Sequence, residues 1–118
     1  DGSSGGVFPI RTGLARSVNI MAVRMITDGF VKISDIRDVA SKMGLRTPLA
    51  EDATIALGSS EVIPLELAGA FSVFPNKGIY IAPNWFKKIV DRDGGEMVPF
   101  TPSKWRAVSE ETAVMMIS

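Results

Sequence analysis

Ser17-Val18-Asn19 places a hydroxyl two residues from a carboxamide, and Arg11-Thr12-Gly13 sets a basic residue ahead of a Thr-Gly pair a few positions earlier. Both triplets have the residue types of a serine acyl-transfer site. The rest of the chain narrows the options, because its 118 residues include no cysteine and no histidine. Thiol nucleophiles, disulfides, imidazole bases and the usual zinc ligands are thereby excluded. Chemistry here must use Ser, Thr, Lys, Tyr or carboxylates, and no cofactor or metal is implied. The carboxylates are spread along the chain without a paired acid–base spacing.

Each triplet makes a geometric demand. A basic-Thr-Gly triplet that lines an acyl-serine cleft must run along an edge strand, so that its backbone can pair with an extended substrate. Nothing from Ile10 to Ser17 alternates like a strand, and the triplet reads as a coincidence inside a helix. Residues two apart on a helix point to different sides. Ser17 and Asn19 can therefore share a cleft only if a turn interrupts the helix between them. The plain structural alternative is that Ser17 closes one helix and Asn19 caps the next, a contribution of about 1 kcal/mol with no chemistry attached.

The elements that must position these residues follow from the apolar spacing. Residues 1–9 form a flexible lead-in, opened by DGSSGG, which has nothing to bury. Ile10 and Leu14 define a short helix weakened by Gly13 and ending near Ser17. Ile20 to Ile26 is apolar except at Arg24, which predicts a helix buried on most sides, capped by Asn19 and stopped by Asp28-Gly29. ISDIRDVASKMG is the clearest amphipathic helix, with Ile33, Ile36, Val39, Ala40 and Met43 on one stripe, Ser34 as its start and Gly44 as its stop. Leu45 to Asp52 reads as loop, followed by a short apolar piece, ATIALG.

Pro64 suits the first position of a further helix, Glu66 its first turn, and Leu67, Ala70, Phe71 and Phe74 an inward face. The period then changes, and Asp93-Gly94 predicts a hairpin pairing roughly Trp85 to Asp91 with Glu96 to Phe100. Ser109 with Glu110 and Glu111 opens a last apolar helix. Trp85 and Trp105 read as packing residues, and Met21, Met25, Met115 and Met116 as core filling. Asp91, Arg92 and Asp93 read as a solvated turn. The fold class expected is α+β, mainly α-helical with one antiparallel β-hairpin.

Thirteen basic and thirteen acidic residues cancel, so no overall positive field draws in nucleic acid or an anionic membrane surface. No apolar run approaches the roughly 18 to 20 residues needed to cross a bilayer, and no membrane contact is expected from this segment. The first residue is Asp1, as expected of a mature form or an excised piece.

The order of three blocks carries more than either triplet: TGLARSVNIMAVRM, then ALGSSEVIPLELAGAFSVFPNKGIYIAPNWFKKIVDRDGGE, then RAVSEETAVMMIS. Together, from about Ile10 to Ser118, they resemble the transpeptidase domain of class A, bifunctional penicillin-binding proteins. That family's motif set is Ser-x-x-Lys, Ser-x-Asn and Lys-Thr-Gly, and Ser17 with Asn19 match the second. The resemblance implies a penicillin-binding/β-lactamase-like serine acyltransferase fold, with residues 10–118 as its central, mostly helical part, incomplete at both ends. It implies that the Ser17 hydroxyl relays a proton to the leaving amine and that the Asn19 amide holds the donor peptide backbone. A hydroxyl can accept and donate at once, and a carboxamide can satisfy a peptide group on both edges, so the residue types fit. Peptidoglycan stem peptides and β-lactams are the implied partners. Membrane attachment, glycosyl transfer, D-Ala-D-Ala carboxypeptidase chemistry and a periplasmic address outside the inner membrane belong to the family, not to these residues.

The departures are equally definite. No serine in the chain has a lysine three positions later, and no Lys-Thr-Gly is present. In the family the first motif lies upstream of Ser17 and the third downstream of the last helix here, as expected of a piece from the middle of the domain. Ile63 stands before Pro64 where the family often has a capping Thr or Ser. Without the nucleophile these residues alone are expected to give no transpeptidation and no penicillin adduct. Helices left without a partner sheet would expose apolar faces and invite self-association. A catalytically degenerate interaction domain and an unrelated helical binding module stand as alternatives.

Overall fold

The computed structural model describes residues 7–84, 86–98 and 101–118. Among these the order is α1 (Ile10–Ala15), α2 (Asn19–Thr27), α3 (Ile33–Lys42), a 3-10 helix (Ala53–Leu57), α4 (Pro64–Ser72), β1 (Ile79–Ile81), β2 (Ile89–Val90), β3 (Glu96–Val98), β4 (Lys104–Arg106) and α5 (Glu110–Ile117). The mainly helical α+β class agrees with the composition of the apolar pattern, with a second antiparallel strand pair, β1–β4, beside the hairpin. The chain divides into two units, one from residues up to Ile36 together with Pro48–Glu61, the other from Arg37–Thr47 and Val62–Ser118. The lead-in segment 1–6 lies outside the described residues. No helix among those described is long and apolar enough to cross a membrane.

In the first unit α1 follows Pro9, whose carbonyl accepts from the Gly13 amide at 3.1 Å. The 3-10 helix packs along α2. Its N-cap is Asp52, whose carboxylate accepts from the Thr54 amide at 2.8 Å, and Gly58 ends it at φ +71. The Ser60 hydroxyl accepts from the Ala50 amide at 2.9 Å, which ties the flanks of this loop together. Arg24 and Asp28 pair at 3.0 Å at the end of α2, with the cation near the negative end of the helix. The expectation that α2 is buried on most sides is corrected. None of its residues is buried and Ile20 is 53% exposed, because α1 and the 3-10 helix cover only part of its surface within this unit.

In the second unit the core is Val73, Tyr80 and Ala107. β1 and β4 pair antiparallel with Tyr80 opposite Trp105, whose rings lie 4.6 Å apart, and the Trp105 indole donates to the Lys42 carbonyl at 2.7 Å. Gly44, at φ +95, stops α3 where a side chain would overlap the Tyr80 ring. Helix α4 starts at Pro64 with no side-chain cap from Ile63, and Glu66 accepts from the Arg46 amide at 3.1 Å. The inward face predicted for α4 is shifted. Gly69 and Ala70 are buried and lead to Val73, while Phe71 is 64% exposed and Leu67 is exposed. Tyr80 and Pro83 cover this face, at distances where a Cβ on Gly69 would make ordinary contacts of 3.4 Å with both.

The hairpin is shorter than its sequence signal. Ile89 pairs with Val98 and Val90 with Glu96, while Trp85 and Phe100, the predicted outer ends, lie outside the described residues. Asp91 closes the turn by accepting from the Asp93 and Gly95 amides at 2.9 and 2.7 Å. Ser109 caps α5 by accepting from the Thr112 amide at 3.1 Å, and Ala113 is buried. Met115 and Met116, expected as core filling, are 68% and 47% exposed: burial along α5 includes Ala113 but does not extend to the turn that follows it.

Candidate functional site

Helix α1 ends in a crossed pair of backbone bonds. The Ser17 amide donates to the Leu14 carbonyl at 3.0 Å and the Val18 amide to the Gly13 carbonyl at 2.9 Å. This is a Schellman arrangement, in which the residue after the C-cap takes a left-handed conformation and is usually glycine. Here that residue is Ser17, at φ +53. A serine in this conformation costs about 1–2 kcal/mol that a glycine would avoid. The turn therefore keeps a hydroxyl at a strained position where geometry alone favours none, and such strain gathers at functional sites.

Val18 is extended, at φ −80 and ψ 101, and Asn19 is the first residue of α2. The expectation that Asn19 caps α2 is thus corrected. Val18 holds the cap position because it is extended while its carbonyl already accepts from the Ala22 amide at 3.4 Å, and no side chain caps the helix. Ser17 does not stop α1 through its side chain either. Neither polar side chain hydrogen-bonds to another of the described residues.

Ser17 and Asn19, both exposed, line one hollow of about 150 Å³ within the first unit. Gly13, Leu14, Val18, Met21, Ala22 and Ala56 complete its lining. Complete small-molecule pockets occupy roughly 300–1,000 Å³, so the hollow has the size of part of a site. None of the lining side chains is ionisable, which leaves a hydroxyl and a carboxamide on apolar walls, able to hydrogen-bond and to pass a proton but not to supply a charge. Of the Arg11-Thr12-Gly13 triplet only Gly13 lines the hollow, and all three residues are helical, as the sequence spacing implied. Ala56 is delivered by the 3-10 helix that Asp52 caps. The Thr54 hydroxyl and then the Thr54 amide hold the Asp52 carboxyl below the usual aspartate range.

The chain is 35% identical over 85 residues to penicillin-binding protein 1A of Vibrio cholerae, a match covering 71% of this chain and 10% of that protein. It is 38% identical over 89 residues to penicillin-binding protein 1A of Aquifex aeolicus, covering 75% of this chain and 12% of that protein. With the Clostridium acetobutylicum penicillin-binding protein 1A the identity is 28% over 120 residues, covering 98% of this chain and 15% of that protein. The chain belongs to the class A penicillin-binding protein family. It spans 10 to 15% of the length of these curated relatives. No family model matches the chain.

Within this segment of a class A penicillin-binding protein, sequence reasoning named Ser17 and Asn19 but not the residues that seat them. Gly13 was read as a weakness of α1, yet its carbonyl closes the turn and its bare α-carbon faces Met21. The available signal was a glycine four residues before Ser17 in a helix too short to tolerate one without cause. Ala56 joins the hollow through a contact some 40 residues away in sequence, for which local spacing gives no signal.

Proposed function

We propose that this chain is an internal stretch of a peptidoglycan D,D-transpeptidase domain in a class A penicillin-binding protein of the cell envelope, on the periplasmic side of the inner membrane. The observation that carries this reading is the left-handed Ser17 set between two helices, with Asn19 opening the second and both residues lining one hollow. A serine supplied by the remainder of the protein attacks the carbonyl of a stem peptide's D-Ala-D-Ala bond. The C–N bond breaks, and the departing D-alanine amine takes a proton handed on through the Ser17 hydroxyl. The amine of a second stem then displaces the serine and the cross-link forms. Ser17 suits the relay because a hydroxyl donates one proton as it accepts another. Asn19 suits the substrate backbone because its carboxamide offers a donor and an acceptor side by side. Residues 10–118 form the central, mostly helical part of that domain and have no acyl transfer of their own, since no Ser-x-x-Lys or Lys-Thr-Gly is among them. Apart from the parent protein they expose apolar faces, such as Met115 and Ile117, that favour self-association.

The test is acylation of the full-length parent protein by a fluorescent penicillin. Ser17→Ala is expected to slow acylation by about 10²- to 10⁴-fold, the usual worth of a positioned proton-transfer group. Asn19→Ala is expected to weaken saturation by about tenfold, the scale of one lost hydrogen bond in a dry site. Wild-type rates in both variants would refute the assignment. An unlabelled wild-type protein would instead identify a degenerate, non-catalytic relative.

A further inference from the structure

We infer that Gly13 and Met21 form a size-matched pair that keeps the hollow beside Ser17 and Asn19 open, and this inference rests on the acyl-transfer reading above. The backbone bonds at the end of α1 fix Ser17 and the amide of Val18, but they do not fix the direction in which α2 leaves. The 3-10 helix packed along α2 sets that direction, since Val18 is a single extended residue with no side-chain cap. What remains to be placed is the Met21 side chain in the first turn of α2. Met21 reaches back over Gly13 so closely that a Cβ on Gly13 would overlap the Met21 sulfur, lie 3.0 Å from its Cε, and lie 2.9 Å from Phe8 Cε2. Ordinary carbon contacts need about 3.5–4.0 Å. The thioether therefore occupies the space of a side chain at position 13, and Phe8 closes the other flank.

Two further features support this role. Gly13 is buried in a six-residue helix, where glycine is the poorest choice short of proline, so its presence needs a packing reason. Met21 is two residues beyond Asn19 and lines the same hollow as Gly13, Ser17 and Asn19, so a methyl at position 13 turns the flexible end of Met21 out of its place and into the hollow that the hydroxyl and the carboxamide share. Methionine is flexible enough to fill an irregular gap, but filling this one requires that the gap exist.

The experiment measures the acylation rate constant at saturating fluorescent penicillin, and the melting temperature, in the full-length parent protein and four variants: Gly13→Ala, Met21→Ala, the double variant and Ser17→Ala. Gly13→Ala is expected to slow acylation about 10- to 100-fold, the scale of an ångström's misplacement of a reacting group, with little change in melting temperature. The double variant is expected to recover most of that loss, because truncating Met21 makes room for the new methyl. Acylation of Gly13→Ala at the wild-type rate, or a double variant no faster than Gly13→Ala, would overturn the inference. If Gly13→Ala does not fold, the comparison passes to the other pair: the double variant must then acylate faster than Met21→Ala, and an equal or slower rate overturns the inference. Ser17→Ala separates the two levels of the argument. A fast Ser17→Ala refutes the acyl-transfer reading itself, whereas a slow Ser17→Ala beside a fast Gly13→Ala refutes only the pair.

Discussion

The Val18 amide donates to the Gly13 carbonyl at 2.9 Å, and the residue enclosed by that bond, Ser17, is left-handed at φ +53. This one relationship converts two residues that a continuous helix would aim apart into neighbours on a common hollow. It also explains why Asn19 is not used as a cap. The Schellman turn ends α1 and starts α2 by backbone bonds alone, so the hydroxyl and the carboxamide are left for other work.

Gly44 and Gly58 are both left-handed, at φ +95 and +71, yet only Gly44 has a neighbour where a Cβ would go. Gly58→Ala is expected to lose about 1 kcal/mol through strain alone. Gly44→Ala adds displacement of the buried Tyr80 ring, and its loss is expected to reach about 3 kcal/mol or more. Thermal melting of the two variants side by side checks this. Equal losses would mean that Tyr80 yields freely.

Trp105→Phe keeps a ring over Tyr80 but removes the indole N–H that donates to the Lys42 carbonyl at 2.7 Å. The expected loss is about 1 kcal/mol, read as a drop in melting temperature. Hydrogen exchange should quicken first in the residues joining α3 to Gly44. A variant as stable as the wild type would show that this bond is replaced by water at no cost.

Asp52 sets the acid response of the loop that delivers Ala56. Its carboxyl is held below the ordinary value by the Thr54 hydroxyl and amide. A carboxylate depressed in the folded state stabilises it fully above its unfolded pKa of about 3.9 and loses that contribution as pH falls through the lower folded value. Protection of the Thr54 amide against exchange should accordingly hold from neutral pH down to about 4 and fade below it. Asp52→Asn should remove the pH dependence. Protection in the wild type that follows pH no differently from that in Asp52→Asn would contradict the assignment.

The sequence made some of this legible and concealed the rest for physical reasons. Helix ends marked by Pro64, Gly44 and Ser109 fall where their conformational preferences place them, because the cause is local. The break between Ser17 and Asn19 was visible as a requirement, but its form was not, since a serine in the glycine position of a Schellman turn has no sequence signature. The β1–β4 pair was missed because Ile79–Ile81 and Lys104–Arg106 are three residues each and meet across more than 20 residues of chain. The faces of α4 and α2 were misjudged for a related reason. Apolar residues all round leave the choice of buried side to the neighbours, and at α4 they cover the side of Gly69 and Ala70. Of the hollow, the sequence contained the two polar groups; the apolar walls came from packing.

Ser17→Gly tests the central claim most directly, because it removes the hydroxyl while favouring the turn. In the full-length parent protein the account expects a melting temperature at or above that of the wild type, since relief of about 1–2 kcal/mol of left-handed strain offsets the added freedom of the unfolded chain. Acylation by a fluorescent penicillin should at the same time fall by about 10²-fold or more. A Ser17→Gly protein that is intact and acylates at the wild-type rate would contradict the claim, leaving Ser17 as a turn residue and nothing else.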